Sequence, residues 1–214
     1  MKRTWQNNAK RIAYIEGAGD DVAEALQFAG VSVDILNHDD ITVNNLAKYD
    51  AVIVGIRAVN VNEQSPVWMP VLLKYTENGG TLVMQYNTNR GLNTENIGPY
   101  PFSLSRDRVT EEDAKVELLA PEHKLLNYPN KIIQADFEGW VQERGLYFAE
   151  KWDERYTPLF SMHDAGEQPL KGGTIYAPYG KGHYIYTSLS FFRQLPAGNA
   201  GAIRLLCNFI SIGK

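Results

Sequence analysis

The run Ala51-Val52-Ile53-Val54-Gly55-Ile56 contains no polar side chain. A strand with one wet face alternates apolar and polar residues. An unbroken apolar run is therefore a strand covered on both faces, the situation of an inner strand in a parallel sheet flanked by helices. Arg11-Ile12-Ala13-Tyr14-Ile15 is a second run of this kind, closed by the turn Glu16-Gly17-Ala18-Gly19-Asp20. Thr81-Leu82-Val83-Met84 is a third, entered through Asn78-Gly79-Gly80 and followed by the polar loop Gln85-Tyr86-Asn87-Thr88-Asn89-Arg90.

Between these strands the spacing is helical. Val22, Ala25, Leu26 and Ala29 repeat with a 3.6-residue period behind a cap at Asp20 or Asp21, and Gly30 stops that helix. Val31 to Leu36 alternates as a strand, 44–49 is a short helical connection, and Pro66 to Asn78 is a longer helix. Strand, helix, strand, strand, helix, strand at this spacing predicts parallel pairing with right-handed crossovers. From Gly91 the texture changes. Residues 91–160 are irregular and rich in aromatics, including Tyr100, Phe102, Phe137, Trp140, Tyr147, Phe148, Trp152 and Tyr156. Thr157 to His163 is a further strand. Thr174 to Pro178 and His183 to Thr187 make a hairpin around Tyr179-Gly180-Lys181-Gly182, and Gly198 to Ile212 is a last helix.

The whole predicts a flavodoxin-like α/β sandwich of three layers with a central, mostly parallel sheet. It spans residues 11–214 behind a linker at 1–10, with 91–160 as an insertion. A net charge of -4 at pH 7 argues against nucleic acid and anionic membranes, both of which reward basic surfaces. The single cysteine, Cys207, rules out an internal disulfide framework and a cysteine-based zinc cluster. It sits on the apolar stripe of the last helix and reads as core. No apolar run approaches the ~20 residues of a membrane-spanning helix. The N-terminus lacks the apolar stretch of a signal peptide, so the compartment stays open. The four histidines, His38, His123, His163 and His183, show no metal-ligand spacing, and neither a metal nor a cofactor is expected.

The order of these elements, with Tyr49-Asp50-Ala51-Val52-Ile53-Val54-Gly55 and Asn78-Gly79-Gly80-Thr81-Leu82-Val83, resembles the class I glutamine amidotransferase-like superfamily. So does the closing section Gly180-Lys181-Gly182-His183-Tyr184-Ile185-Tyr186-Thr187-Ser188-Leu189-Ser190. The trehalose-utilisation and β-galactosidase-trimerisation types look most alike. Two longer strings, 136–147 (Asp-Phe-Glu-Gly-Trp-Val-Gln-Glu-Arg-Gly-Leu-Tyr) and 190–198 (Ser-Phe-Phe-Arg-Gln-Leu-Pro-Ala-Gly), resemble the C-terminal region of long LmbE-like proteins. In those proteins a PIG-L-type N-acetylglucosamine deacetylase domain comes first.

The resemblance implies where catalysis would sit, and this chain departs from it there. Catalytic members carry a Cys after the strand that here ends in Met84-Gln85-Tyr86-Asn87, and a His-Pro-Glu sequence where this chain has Ser188-Leu189-Ser190. Acyl transfer needs nucleophile, base and orienter within hydrogen-bond reach. Neither half is present, and the Pro-Asp-Asp and His-x-x-His zinc motifs of the deacetylase are absent too.

The candidate crevice is therefore one for binding: Glu16, Arg57, Asn60, Gln85, Tyr86, Asn87, Ser188 and Ser190, all at the carboxyl ends of strands, where ligands of such sheets bind. Arg57 suits either bidentate recognition of a carboxylate or an internal ion pair with Glu16. The amides of Gln85, Asn87 and Asn89 suit either a polar ligand or the turn itself. The aromatics suit a carbohydrate platform, loop packing or contact with another domain or subunit. Three functional readings stay open. The first is a non-catalytic accessory or oligomerisation domain of a carbohydrate-active protein, partnered by another domain or a like subunit. The second is a carbohydrate or small-molecule binding module. The third is a hydrolase with a non-standard site built from Glu16, Arg57 and Gln85. An exposed apolar face would favour the first, and an open polar crevice at Glu16, Arg57 and Asn87 the others.

Overall fold

The computed structural model describes residues 4–214; Met1-Lys2-Arg3, the basic start of the expected linker, lie outside them. Strands β1 (Ile12–Ile15), β2 (Val33–Ile35), β3 (Ala51–Val54), β4 (Thr81–Gln85), β5 (Thr157–Pro158), β6 (Thr174–Tyr179) and β7 (Gly182–Thr187) form one seven-stranded sheet in the order β5-β6-β7-β4-β3-β1-β2. The neighbours from β7 to β2 are parallel, and β5 and β6 extend the sheet antiparallel. The connections are helices α1 (Val22–Phe28), α2 (Val43–Leu46), α3 (Ala58–Val61), α4 (Ser65–Glu77), α5 (Lys124–Asn127), α6 (Phe191–Gln194) and α7 (Ala200–Ser211). This is the expected flavodoxin-like three-layer sandwich.

Alternate residues of each inner strand supply the two cores. Tyr14, Ile53, Val83 and Ile185 face Val22 and Leu26 of α1 and Leu206, Phe209 and Ile210 of α7. Ala13, Ile15, Val52, Val54, Leu82, Met84 and Tyr184 face Leu46, Trp68, Leu72 and Tyr75 on the other side. Both sets must be apolar, which is why the strands read as unbroken runs. Each Leu- or Ile-sized side chain so buried contributes about 2 kcal/mol. Cys207 lies in the α7 stripe as expected, and burial pushes its thiol up to about 12.

Helix starts follow their sequence signals. Asn199 caps α7 by accepting from the Ala202 N–H at 3.0 Å. At α1 it is Asp20 that accepts, from the Val22 N–H at 2.8 Å, while Asp21 makes no side-chain cap. Thr157 to His163, expected as one strand, divides into β5 and a separate pair of residues, Phe160–Ser161, that joins Glu117–Leu118. Tertiary pairing splits it: β5 needs β6 as partner, and the next residues need an insertion strand.

Residues 91–160 also contain the pairs Ser103–Leu104 with Ala149–Glu150 and Arg108–Val109 with Gly145–Leu146. Their aromatics divide between the two cores. Phe102 and Tyr156 pack edge-on over one face, with centroids 5.5 Å apart; Phe137, Trp140 and Phe191 cluster over the other. Phe137, Trp140, Phe148 and Tyr156 are buried, so their faces serve packing. Asn208 of α7 holds this region down. Its amide donates to the carbonyls of Leu125 (2.8 Å) and Asn130 (2.7 Å) and accepts from the Asn130 N–H (2.9 Å). Residues 4–10 lie against the domain: the Trp5 indole donates to the Ala29 carbonyl at 3.0 Å, and the Asn8 N–H to Ser211 at 2.9 Å.

Candidate functional site

The strand order reverses between β1 and β3: the chain leaves β1 for β2 on one side and returns to β3 on the other. The carboxyl ends at such a reversal are where open α/β sheets place their ligands. Here the two loops touch. A Cβ on Gly17 would stand 2.0 Å from the Ile56 carbonyl oxygen, so only glycine allows the approach. The Ala18 N–H donates to that oxygen at 2.8 Å, and the Gly55 N–H to Ile15 at 2.7 Å.

Glu16 and Arg57 stand exposed on these two loops. The internal ion pair that was one reading of Arg57 is not formed: among the described residues its guanidinium makes no salt bridge or hydrogen bond. Its backbone is left-handed, φ 54° and ψ 20°, a region that favours glycine, and its N–H donates to the Tyr86 carbonyl at 2.7 Å.

The remaining candidates face inward. The Asn87 side chain is fully buried; it accepts from the Val59 N–H at 3.0 Å, capping the first turn of α3, and donates to the Gln85 carbonyl at 3.3 Å. Asn60 ties the loop after β4 by accepting from the Thr88 N–H at 2.9 Å and donating to the carbonyls of Thr88 and Arg90. Buried Gln85 donates to the Tyr14 hydroxyl at 2.9 Å, which in turn donates to Asp20 at 2.7 Å. Burial and the facing Asp20 carboxylate hold the Tyr14 phenol well above its usual pKa. The Ser188 hydroxyl donates to Gly173 at 3.2 Å and that of Ser190 to the Glu143 carbonyl at 2.7 Å. The structure thus leaves Glu16 and Arg57 exposed at one rim with the buried Tyr86 against it, and turns Asn60, Asn87, Ser188 and Ser190 to internal bonds. Gln85 is bonded through its amide nitrogen, while its Oε1 is buried without a partner among the described residues.

The loop after β7 is locked by a knot whose members spacing alone did not expose. Gln194, fully buried, accepts from the Val141 N–H at 2.8 Å and donates to the Val141 carbonyl at 2.8 Å and the Ser190 hydroxyl at 3.0 Å. The buried Glu143 carboxylate meets Arg193 Nε at 2.7 Å and an Arg108 nitrogen at 3.5 Å. The Ser190 N–H donates to Arg144 at 3.0 Å and the Leu146 N–H to Ser188 at 2.9 Å. The strings 136–147 and 190–198 therefore form one unit. The available signal was their charge content, Glu143 in one and Arg193 in the other; their pairing is a matter of tertiary contact. Beside the knot the Arg144 guanidinium is buried against the carbonyls of Ala114 and Phe137, and desolvation lowers it to about 10.

Tyr86 connects the two halves of the rim. Its ring meets Tyr147 edge-on at 6.0 Å and Phe192 at 5.6 Å. Burial raises its phenol pKa, and Arg57 opposes that rise. Phe192 was not among the expected site residues, and Tyr147 was expected only as one of the aromatics suited to a carbohydrate platform, loop packing or an interface.

Along α1 lies a groove of about 790 Å³ whose lining includes Trp5, Ala25, Ala29, Leu195, Pro196 and Ile203. Phe28, 97 % exposed, projects at it. Among the described residues no group of three or more His, Cys, Asp and Glu is placed to hold a metal, and no helix is long and apolar enough to cross a membrane.

No protein-family model and no curated protein sequence matches the chain. Solved structures do. A cytoplasmic protein of Salmonella typhimurium LT2 superposes with a TM-score of 0.62 at 16% identity, over 95% of this chain and 99% of its own. A putative ThuA-like protein of Bacteroides uniformis gives 0.54 at 14% identity, over 94% and 91%. The β-galactosidase of Rahnella sp. R3 gives 0.56 at 18% identity, over 92% of this chain but 30% of the enzyme. At these identities the likeness is one of fold: the chain shares its α/β architecture with a ThuA-like protein and with one domain-sized part of a β-galactosidase.

Proposed function

We propose that the chain is a non-catalytic accessory domain of amidotransferase-like fold that works by docking to another protein surface, either a like subunit or another domain of a carbohydrate-active protein. The observation that carries this reading is what fills the two catalytic positions of the resembled superfamily. Asn87 and Gln85 on one side and Ser188 and Ser190 on the other are buried, and all four make internal hydrogen bonds, Gln85 through its amide nitrogen alone. Neither Ser188 nor Ser190 offers a free hydroxyl to the rim, and the lone thiol is enclosed and held protonated. A domain-sized match inside a β-galactosidase supports an accessory role. So does the exposed Phe28 beside an apolar groove, since apolar surface of that kind marks interaction sites. In the finer form of the reading, the strings 136–147 and 190–198 point to an LmbE-like N-acetylglucosamine deacetylase as the enzyme served.

The test has two arms. Incubation with glutamine should release no ammonia above a Cys207→Ala control; measurable release that this substitution abolishes would overturn the non-catalytic reading. Light scattering of the chain, alone and mixed with a PIG-L-type deacetylase domain, should show assembly that Phe28→Glu disrupts. A clean monomer under both conditions counts against docking.

A further inference from the structure

We propose that the rim formed by Arg57, Tyr86, Tyr147 and Phe192 is a binding site for a small monocarboxylate with an apolar or C–H-rich face. This goes beyond the docking reading and does not depend on it, because the groove beside Phe28 and this rim are lined by different residues.

Four observations converge. Arg57 occupies the loop after β3 at the reversal of strand order, and its guanidinium has no protein partner among the described residues. An arginine left unpaired keeps its donor fork for a ligand, and planar carboxylates match that fork bidentately. Its left-handed backbone is the second observation. A glycine would hold this turn without the Cβ penalty, so a long cationic side chain here is retained against local preference, as at many functional positions. Third, the hydroxyls of Tyr86 and Tyr147 make no hydrogen bond within the described residues, yet neither is a sealed orphan. Tyr86 is only 8 % exposed and Tyr147 half-buried; the Arg57 guanidinium acts on the Tyr86 phenol, and both hydroxyls keep a donor to give. Fourth, Tyr147 and Phe192 are half-buried against Tyr86; the Arg193 guanidinium lies over Phe192 at 4.8 Å, and the remaining ring surface stays at the rim. Aromatic surface buries the body of a ligand whose charged end is held elsewhere.

The surrounding charges set the valence. Glu16 stands exposed on the adjoining loop and disfavours a ligand with more than one negative charge. Arg193, the next cation along the rim, is already engaged by Glu143 and Gln142. One free guanidinium thus matches one carboxylate.

The experiment titrates the intact chain with sodium glucuronate and sodium benzoate, with glucose as the uncharged control, following the Arg57 side-chain and Tyr86 signals by NMR. Saturable binding of at least one carboxylate, weakened about tenfold or more by Arg57→Gln, is expected, since a charge-assisted bidentate contact carries about that factor. Arg90→Gln, a nearby exposed arginine outside the rim, should leave binding in place. Arg57→Gly separates a ligand role from a structural one: it should lose binding while keeping or raising the melting temperature, because glycine accepts the backbone angle. Absence of saturable binding by either carboxylate, equal binding of glucose, or binding unchanged in Arg57→Gln overturns the proposal.

Discussion

Two pairs of loops leave the same edge of the sheet and have been put to opposite uses. The loops after β4 and β7 turn key polar side chains inward: Asn87 caps α3, and Ser190 joins the knot around Gln194 and Glu143. The loops after β1 and β3 are held close mainly by backbone bonds, with the Asn62 amide donating to the Glu16 carbonyl at 3.2 Å, and the charges of Glu16 and Arg57 are left facing out. The contrast teaches that an amide or hydroxyl at the carboxyl end of a strand is not by itself a ligand contact. It becomes one only when the scaffold does not already need it. Buried polar groups must find partners, and a loop lacking backbone ladders takes them from its own side chains.

Substitutions sharpen this comparison by measuring which side of the edge is structural. The largest effect belongs to the knot. Gln194→Ala removes a fully buried amide bonded to both the N–H and carbonyl of Val141 and to Ser190. It should cost about 3 kcal/mol in urea unfolding, since the groups left behind keep their desolvation penalty. A loss near zero would mean that the loop after β7 is held by other means. Asn87→Ala comes next. It removes the acceptor for Val59 and should cost about 2 kcal/mol, as for a lost buried cap. Full stability with altered ligand binding would move Asn87 to the open side of the comparison.

The smallest effect is electrostatic and lies at the opposite, amino-terminal end of β7, away from either pair of loops. His183 bonds the Tyr176 hydroxyl through Nδ1 at 2.7 Å, and His123 accepts the Leu125 N–H through its own Nδ1 at 3.1 Å. Burial lowers both imidazoles, and for His183 the neighbouring Lys124 and His123 add to that. The unfolded chain, with ordinary histidines near 6.5, then binds more protons than the folded one in mild acid. This contribution to stability is complete above about pH 6.5 and is lost as the pH falls through the lower folded values. Melting temperatures between pH 7.5 and 5 should decline, and His183→Gln should flatten the decline; an unchanged slope would remove His183 as its source.

The sequence carried far into the first half of the molecule. Unbroken apolar runs at 12–15, 51–56 and 81–84, with helical spacing between them, suffice for a parallel sheet, because covering both faces of a strand leaves no polar position in it. The hairpin of β6 and β7, the α7 stripe and the enclosed Cys207 were legible for the same reason: periodicity is a local record of burial. Arg57 was legible as a position, directly after an inner strand, but its freedom from Glu16 was not. The roles of Asn60, Asn87, Ser188 and Ser190 depended on partners 15 to 47 residues away, such as Val59 for Asn87 and Glu143 for Ser190. A residue's type states how many hydrogen bonds it can make. Only the tertiary structure decides whether the scaffold or the solvent receives them, because that choice rests on which distant backbone groups folding leaves buried and unpaired. Local pattern alone thus determined the sheet and its two cores. The closing of one pair of loops and the opening of the other were decided by contacts that exist only once the chain has folded.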